Sequence, residues 1–472
     1  MADLYRDVLA APPPFERTPP TLRRPVRASA CAWLVRNIIR PLWLWRVETL
    51  VVLLALIFWG LVTQRVGRAF GGLIVAGLLG TFPLWPNSLN ERVHLLFHRA
   101  AVRRAWDYAV RHARLATYSD RVPRPVSIEP IPAGDLLRVR IPAGSRTSAV
   151  VDAAETIAAC LGVRELRVAR DPANARYAAV TIVRRDPLVD RRSITWPQLY
   201  TPQLSLWVPV PVGINEDGLW VTVSLPERNV LIGGEPGAGK SVAASMLVAT
   251  AALDPQARLI LFDGKRVELA TWAGCADRIV GPDIDDAINA LLDVRVELDR
   301  RLDRLVELRR RKVTRGDGIP LLVLVVDELA YYCNDPDRKQ ASTFSHLLRD
   351  LVSRGRAPGI IVIAATQKPS GDTIPTYLRD LFGFRWALRC STPQASDTIL
   401  GSGWASMGYA ASTIDAADRG VGFLLHEGGR PVRLRTCYLS DDHLDHLGRR
   451  AERLRVSLRG VGEADIPSPP TS

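Results

Sequence analysis

The sequence predicts an α/β fold in which a core with a parallel sheet follows a small α/β module and an N-terminal pair of apolar helices. Three observations predict these parts. Two charge-free apolar runs lie near the N-terminus, short alternating strands surround one helix, and a long stretch alternates apolar strands with helices. At 472 residues, the chain is longer than one ordinary hydrophobic core needs, which agrees with several packed units.

The two apolar runs cover residues 50–62 and 69–85. Each is shorter than the roughly 20 residues that a straight membrane span needs, so buried core helices are the alternative interpretation. Interfacial tryptophans and outer arginines nevertheless favour a membrane hairpin with both ends in the cytosol. These flanking residues are Trp43, Trp45, Trp85, Arg36, Arg40, Arg46, Arg92, Arg99, Arg103 and Arg104.

The charge distribution agrees with this interpretation. Of the net charge of +13, +9 lies in the first 120 residues, beside the predicted hairpin. The bulk charge of the remaining chain is therefore weak evidence for nucleic-acid binding, and any such contact must come from local loops. The six cysteines form no C-x-x-C pair, which disfavours a zinc site or a disulfide framework.

The pattern of strands, helices and proline-rich stretches predicts seven segments along the chain. In order, they are a basic cytosolic segment (1–46), a transmembrane hairpin (47–86), a juxtamembrane helix (87–120), a small α/β module (121–190), a linker (191–211), the main α/β core (212–444), and a C-terminal helix and tail (445–472). Within the module we expect strands at 126–128, 136–141, 165–169 and 178–183 and a helix at 147–161. Within the core, an apolar stripe predicts a helix over 285–312 that ends in a basic run.

A complete phosphate-binding loop lies in the predicted core, between an apolar strand and an Ala-rich helix. Consecutive backbone N–H groups of such a loop surround phosphate oxygens, the lysine adds a positive charge, and the serine hydroxyl ligates Mg²⁺. The pattern therefore predicts bound ATP and Mg²⁺. The loop residues are Gly234, Glu235, Pro236, Gly237, Ala238, Gly239, Lys240 and Ser241.

A second acidic motif ends the aliphatic strand at residues 321–326. Asp327 is expected to hold Mg²⁺ through water, and Glu328 to polarise the attacking water, which distinguishes a hydrolase from a nucleotide binder. A third buried strand ends at Gln367, where a polar side chain can sense hydrolysis, although a simple strand cap is the alternative. We therefore predict Lys240, Asp327, Glu328 and Gln367 as catalytic residues.

Four further stretches resemble the FtsK/SpoIIIE motor family. They are residues 262–269, residues 354–369, residues 374–400 and residues 433–442. The resemblance covers about half of the chain and implies a RecA-like P-loop ATPase core over 212–444 that moves double-stranded DNA as a homo-hexamer. The single core behind a predicted hairpin most resembles plasmid-transfer (Tra) proteins of filamentous actinobacteria. Such a protein would be a multi-pass protein of the bacterial cell membrane with a cytoplasmic motor, acting in plasmid transfer or chromosome partition.

Two departures from the family pattern affect the expected site. Asp397 stands where the family commonly has arginine, so a finger that completes a neighbouring subunit's site must come from elsewhere. The candidates are Arg354, Arg356 and Arg385. The family's sequence-reading winged-helix module also has no room after residue 442, so we expect DNA contacts with little sequence preference. The candidate contacts are Lys368, Arg379 and Arg385.

Three alternative functions remain open at this point. A type VII secretion ATPase joins a hairpin to similar cores but moves protein, and it usually carries several cores in tandem. A single-stranded DNA coupling protein shares the hairpin and the hexamer but not the neighbouring motifs. A non-catalytic membrane tether would bind nucleotide only to assemble, which the intact Lys240, Asp327 and Glu328 disfavour.

Overall fold

The computed structural model describes residues 46–66, 87–189, 193–367, 369–371 and 375–464. The first predicted apolar run lies in helix α1 (Arg46–Val66), whereas the second run, residues 69–85, lies outside the described residues. In the described ranges, no helix combines the length and the apolar character that a membrane span requires. The membrane hairpin therefore stays a prediction.

The chain divides into two compact units. The first includes the described residues up to 128 together with residues 137–162 and 168–180, and the second includes residues 129–136, 163–167 and those from 181 onward. In the first unit, helix α2 (Asn87–His112) buries Trp106, whose indole N–H donates to the carbonyl of Pro123 over 2.9 Å. This hydrogen bond satisfies the one polar group of a fully buried aromatic side chain.

The helix predicted over residues 147–161 is two helices. Helix α3 (Thr147–Asp152) ends at Asp152. The next residue, Ala153, has φ of −93° and ψ of 2°, which depart from helical geometry, and α4 (Ala154–Leu161) begins directly after it. The sequence pattern carried no signal for this break, because alanine is the best helix former. Helix α4 packs against α2.

The four strands predicted for the small module are present. They form one sheet in the order β1-β2-β4-β3. Their bounds are β1 (Arg124–Ile131), β2 (Gly134–Arg140), β3 (Glu165–Arg170) and β4 (Tyr177–Val183).

A ten-stranded sheet, ordered β6-β5-β14-β13-β12-β7-β11-β10-β8-β9, organises the second unit. The six strands from β12 to β9 run parallel to one another, and the remaining four pair in an antiparallel manner at one side of the sheet. The strands are β5 (Val210–Asn215), β6 (Trp220–Val223), β7 (Val230–Gly233), β8 (Ala257–Phe262), β9 (Arg278–Val280), β10 (Leu321–Val326), β11 (Ile360–Thr366), β12 (Phe384–Leu388), β13 (Val421–His426) and β14 (Val432–Thr436).

Helices cover both faces of this sheet, as crossover connections between parallel strands require. One apolar cluster joins the sheet to α5 and α11, and a second joins it to α6 and α8. The helices are α5 (Lys240–Ala252), α6 (Ile284–Glu307), α7 (Leu329–Cys333), α8 (Arg338–Arg354), α9 (Thr376–Arg379), α10 (Pro393–Leu400) and α11 (Asp441–Ala464).

Helix α6 is shorter than predicted. It ends at Glu307 because Arg309 takes a left-handed conformation with φ of 52°, so the basic run at 309–312 lies beyond the helix. Lys312 of that run is 2.6 Å from the carboxylate of Glu227. An ordinary surface ion pair therefore accounts for at least one of these charges.

The segment predicted as a linker contributes to the core of the second unit. Trp196 and Leu206 are buried in the cluster that contains α5. The indole N–H of Trp196 donates to the carbonyl of Pro211 over 3.0 Å, and the backbone N–H of Leu206 donates to Asp254 over 2.7 Å. Part of this segment is therefore packed into the core of the second unit.

Candidate nucleotide-binding site

The phosphate-binding loop connects the central strand β7 to helix α5. Gly237 and Gly239 have φ of 77° and 105°, a conformation that side-chain-bearing residues rarely adopt. A Cβ on Gly239 would also lie 3.1 Å from the Cα of Gly420. The loop therefore needs glycine at 239 for two separate reasons, backbone angle and close approach.

The strands that end in the three predicted motifs are neighbours in the order β7-β11-β10. Thr366 of β11 lies opposite Gly233 of β7, and the N–H of Gly234 donates to the carbonyl of Thr366 over 3.2 Å. The strands are parallel, so their carboxyl ends open at one edge of the sheet, where ligands of open α/β sheets bind. The three motifs that the sequence predicts at strand ends thus meet at one edge of the sheet.

Lys240 reaches across this edge to Asp327. Its ammonium nitrogen lies 3.1 Å from the backbone carbonyl oxygen of Asp327 and 3.6 Å from the carboxylate. Both side chains are only 4% exposed. Burial raises the pKa of Asp327 above its ordinary value, and the positive charge of Lys240 partly opposes this shift.

The second carboxylate oxygen of Asp327, Oδ2, is buried and has no hydrogen-bond partner among the described residues. A buried anionic oxygen without a donor is costly unless a ligand completes it. A hydrated Mg²⁺ fits this requirement, because it prefers oxygen ligands and keeps several waters. Ser241 and Asp327 are therefore the residues that could hold the ion.

Glu328 is held in one orientation by the end of the neighbouring strand. It accepts a hydrogen bond from the hydroxyl of Thr366 over 2.7 Å and from the backbone N–H of Gln367 over 3.1 Å. The ammonium nitrogen of Lys265 lies 3.7 Å from the same carboxylate. Glu328 is only 8% exposed, and these three contacts hold its carboxylate in place. Thr366 and Lys265, which position Glu328, are not among the site residues predicted from the sequence.

A cavity of about 490 Å³ opens beside the loop. Its volume lies within the range of small-ligand pockets. The predicted residues that line it are Glu235, Pro236, Gly237, Gly239, Lys240, Ser241 and Gln367. Asp327 and Glu328 contact Lys240 and Gln367 respectively, which connects the acidic pair to this cavity.

The other lining residues come from the segment predicted as a linker, from the helix after the loop and from the last part of the predicted core. They are Ser193, Ile194, Val242, Arg419, Gly420, Arg435, Thr436, Cys437 and Tyr438. The backbone N–H of Tyr438 donates to the carbonyl of Ile194 over 2.8 Å, which joins the two distant segments at the cavity wall. Local sequence carried no signal for this pairing, because it is a contact across more than 200 positions.

The predicted finger arginines contact carboxylates of their own chain and do not line the cavity. Arg354 pairs with Asp350 at 3.1 Å and also with Asp299, Arg356 pairs with Glu427 at 2.9 Å, and Arg385 pairs with Asp380 at 3.2 Å. None of them therefore completes the site of its own chain, and a role in a neighbouring subunit stays a prediction.

The predicted DNA contacts are also only partly described. Arg379 and Arg385 both pair with Asp380, at 2.9 Å and 3.2 Å. Arg379 is buried, with 7% of its surface exposed. Lys368 lies outside the described residues. In this conformation Asp380 neutralises part of the charge that DNA would contact.

Asp397 has a local structural role. Its carboxylate accepts hydrogen bonds from the backbone N–H groups of Gly403 and Ala405, over 2.9 Å and 2.8 Å. It thus fixes the start of the loop that follows α10. A substituted arginine could not accept these bonds.

Comparisons with known proteins agree with this geometry. The model of the FtsK/SpoIIIE family matches residues 197–407. A DNA translocase FtsK of Lactiplantibacillus plantarum is 27% identical over 327 residues, covering 64% of this chain and 39% of that protein. The DNA translocase SpoIIIE of Bacillus subtilis is 26% identical over 336 residues, covering 64% of this chain and 40% of that protein.

Among solved structures, the pCW3 conjugation coupling protein TcpA, in its monomer form with ATPγS, aligns with a TM-score of 0.49 and 18% identity over 75% of this chain and 99% of that one. This chain spans less than half the length of the two curated relatives. The matched region contains the phosphate-binding loop, the acidic pair and the Gln367 strand. Residues 197–407 of the chain thus form a domain that matches the FtsK/SpoIIIE family.

Proposed function

We propose that this chain hydrolyses ATP and uses the energy to move double-stranded DNA. The observation that carries the proposal is the meeting of Lys240, Asp327 and Glu328 at the carboxyl edge of the parallel strands β7, β11 and β10, next to a cavity of about 490 Å³. A nucleotide binder needs the loop and the lysine. A hydrolase also needs a positioned carboxylate near the attacking water, and Glu328 is such a carboxylate.

Each predicted residue has a defined task in this proposal. The loop N–H groups and Lys240 bind the phosphates, and Glu328 orients and polarises the attacking water. Gln367 lines the cavity and its backbone N–H binds Glu328, so a change at the γ-phosphate can reach the segment after β11. Mg²⁺, held by Ser241 and through water by Asp327, would neutralise the charge between the phosphates.

Double-stranded DNA is the proposed cargo because of the family domain and the relatives that carry it. Both relatives named above are DNA translocases. We extend this activity to the present chain, together with a homo-hexameric ring around the duplex and a place in plasmid transfer or chromosome partition. A ring is the natural closed assembly for a head-to-tail interface between identical subunits.

ATP turnover of the purified full chain tests the proposal. Duplex DNA should stimulate hydrolysis well above the rate without DNA, and Lys240→Ala should abolish both rates. Stimulation only by single-stranded DNA would contradict the duplex cargo and favour a coupling protein. Stimulation only by a protein substrate would favour a secretion ATPase, and turnover that no polymer changes would contradict translocation altogether.

The proposed membrane anchoring has its own test. With residues 1–46 and those after 85 in the cytosol, a cysteine at 66 should react with an impermeant thiol reagent in intact cells. A cysteine at Tyr118, whose side chain is fully exposed, should not react until the cells are opened. Labelling of position 118 in intact cells would show that the proposed orientation is wrong.

A further inference from the structure

Three arginines lie at one edge of the four-stranded sheet in the small module. Arg124 begins β1, Arg140 ends β2, and Arg176 directly precedes β4. These strands are adjacent, and the N–H of Ile141 donates to the carbonyl of Arg176 over 2.8 Å, which places Arg176 opposite the residue that follows Arg140. Adjacent strands are about 4.8 Å apart, so the three residues begin within a short distance of one another.

Arg121 joins them around a cavity of about 290 Å³. The other lining residues are Val122, Pro142 and Ala143, so no carboxylate lines it. All four arginines are exposed, and in the described part of the chain none of them lies within ion-pair distance of an acidic group. The nearest acid in sequence, Asp120, already pairs with Arg111 at 2.6 Å.

Four guanidinium groups around one small cavity repel one another, and a bound anion would offset this electrostatic repulsion. Guanidinium presents a planar fork of N–H donors that matches phosphate oxygens. The volume lies at the lower limit of small-ligand pockets, which suits a phosphate group with part of its carrier. We propose that this arginine pocket, formed by Arg121, Arg124, Arg140 and Arg176, binds a backbone phosphate of nucleic acid. The inference rests on the proposed function, for which it names a second contact region.

The lining of the pocket favours nucleic acid over a lipid surface. Amphipathic segments that lie in a membrane interface combine basic residues with apolar anchors that enter the acyl region. The apolar part of this lining is Val122, which is 3% exposed, with the small residues Pro142 and Ala143. The pocket therefore offers charge without an anchor, as in contacts with a phosphate backbone.

Salt-dependent binding of a fluorescent duplex to the purified full chain tests the inference. The double variant Arg140→Gln with Arg176→Gln should lower the affinity by about tenfold for each phosphate interaction that it removes. It should also make the slope of log K against log salt shallower by about 0.9 per phosphate. Arg170→Gln is the matched control, because Arg170 is an exposed arginine at the end of β3 that does not line the pocket. ATP turnover without DNA should stay at the wild-type rate in both variants.

A charge-preserving pair, Arg140→Lys with Arg176→Lys, separates loss of charge from loss of fold and should retain most of the salt slope. If the wild type binds duplex and the glutamine pair binds it with the same slope, the arginine pocket is not a phosphate site, while the proposed function stands. If the wild type binds no duplex but binds vesicles of phosphatidylglycerol through these arginines, both the nucleic-acid ligand and the proposed function are wrong.

Discussion

At the scale of single residues, the proposed function assigns phosphate binding and water activation to different side chains. Lys240 lines the cavity, whereas Glu328 is anchored to Thr366 and Gln367 on the neighbouring strand. The two side chains are thus held by different strands and contact different residues. Removing Lys240 and removing Glu328 should therefore affect ATP binding and ATP turnover differently.

Replacing Lys240 by Ala should abolish ATP binding, because the phosphates lose their main positive charge. Glu328→Gln should keep ATP bound and lower turnover by about 10² to 10⁴, because it removes the group that polarises water but no phosphate contact. Equilibrium binding of a fluorescent ATP analogue and steady-state hydrolysis distinguish the two. Normal turnover in Glu328→Gln would exclude this residue from catalysis.

Thr366→Val should affect turnover through Glu328. The substitution keeps the side-chain shape but removes the hydroxyl that donates to Glu328 over 2.7 Å, a charge-assisted bond worth about 1.5–3 kcal/mol. We expect kcat to fall by about tenfold or more with little change in KM, because Thr366 does not line the cavity. Thr366→Ser retains the hydroxyl and should restore most of the rate. Equal losses in the valine and serine variants would mean that packing, not the hydrogen bond, explains the effect.

At the scale of elements, the sequence predicted strands and motifs well and long-range pairings poorly. The strands that end at Gly233, Val326 and Thr366 are uniform apolar runs, the pattern of strands buried on both faces, and their motifs follow at fixed spacing. The break at Ala153 and the early end of α6 at Glu307 depend on backbone angles that no residue type there demands. The cavity wall at Ile194 and Tyr438 depends on tertiary packing, about which local periodicity carries no information.

Asn229 is an example of such a tertiary contact. It is fully buried, its carboxamide accepts from the N–H of Val362 over 2.8 Å, and it donates to the carbonyl of Val352 over 2.9 Å. This carbonyl lies in the last turn of α8, where helices leave acceptors unsatisfied. The side chain therefore joins the start of β7 to both β11 and α8.

Asn229→Ala should destabilise the second unit strongly. It leaves one buried donor and one buried acceptor unsatisfied, at about 1–3 kcal/mol each. Chemical denaturation followed by tryptophan fluorescence measures the loss. Thr343→Ala on α8 is the control, because Thr343 is exposed and its hydroxyl donates to the backbone carbonyl of Lys339 within the same helix. This substitution should change the free energy of unfolding by less than about 0.5 kcal/mol. If Asn229→Ala lowers the free energy of unfolding no more than the control does, the bridging role of Asn229 is wrong.

At the scale of the whole molecule, two arrangements could place an arginine at the γ-phosphate in the proposed ring. The cavity of each chain is lined by its own Arg419, whereas Arg354, Arg356 and Arg385 contact acids elsewhere in their own chain. In a hexameric ring with sites between subunits, either arrangement can complete the site. Arg419 would act within its own subunit, and one of the other three would act on the neighbouring subunit.

Mixing two inactive variants as monomers before assembly distinguishes these arrangements. Lys240→Ala subunits have a defective phosphate-binding loop but keep Arg356. Arg356→Ala subunits have an intact loop but lack this arginine. If Arg356 completes the neighbouring site, an equal mixture restores active sites wherever an intact Lys240 meets an intact Arg356, at most about a quarter of all sites in a randomly assembled ring. Arg419→Ala mixed with Lys240→Ala should restore no active site if Arg419 acts within its own subunit, because no single subunit then carries both residues.

The same mixtures, with Arg354→Ala or Arg385→Ala in place of Arg356→Ala, test the other two candidates. Recovery with Arg419→Ala would instead mean that Arg419 acts across the interface, and failure of all three other mixtures would remove the predicted fingers from the mechanism.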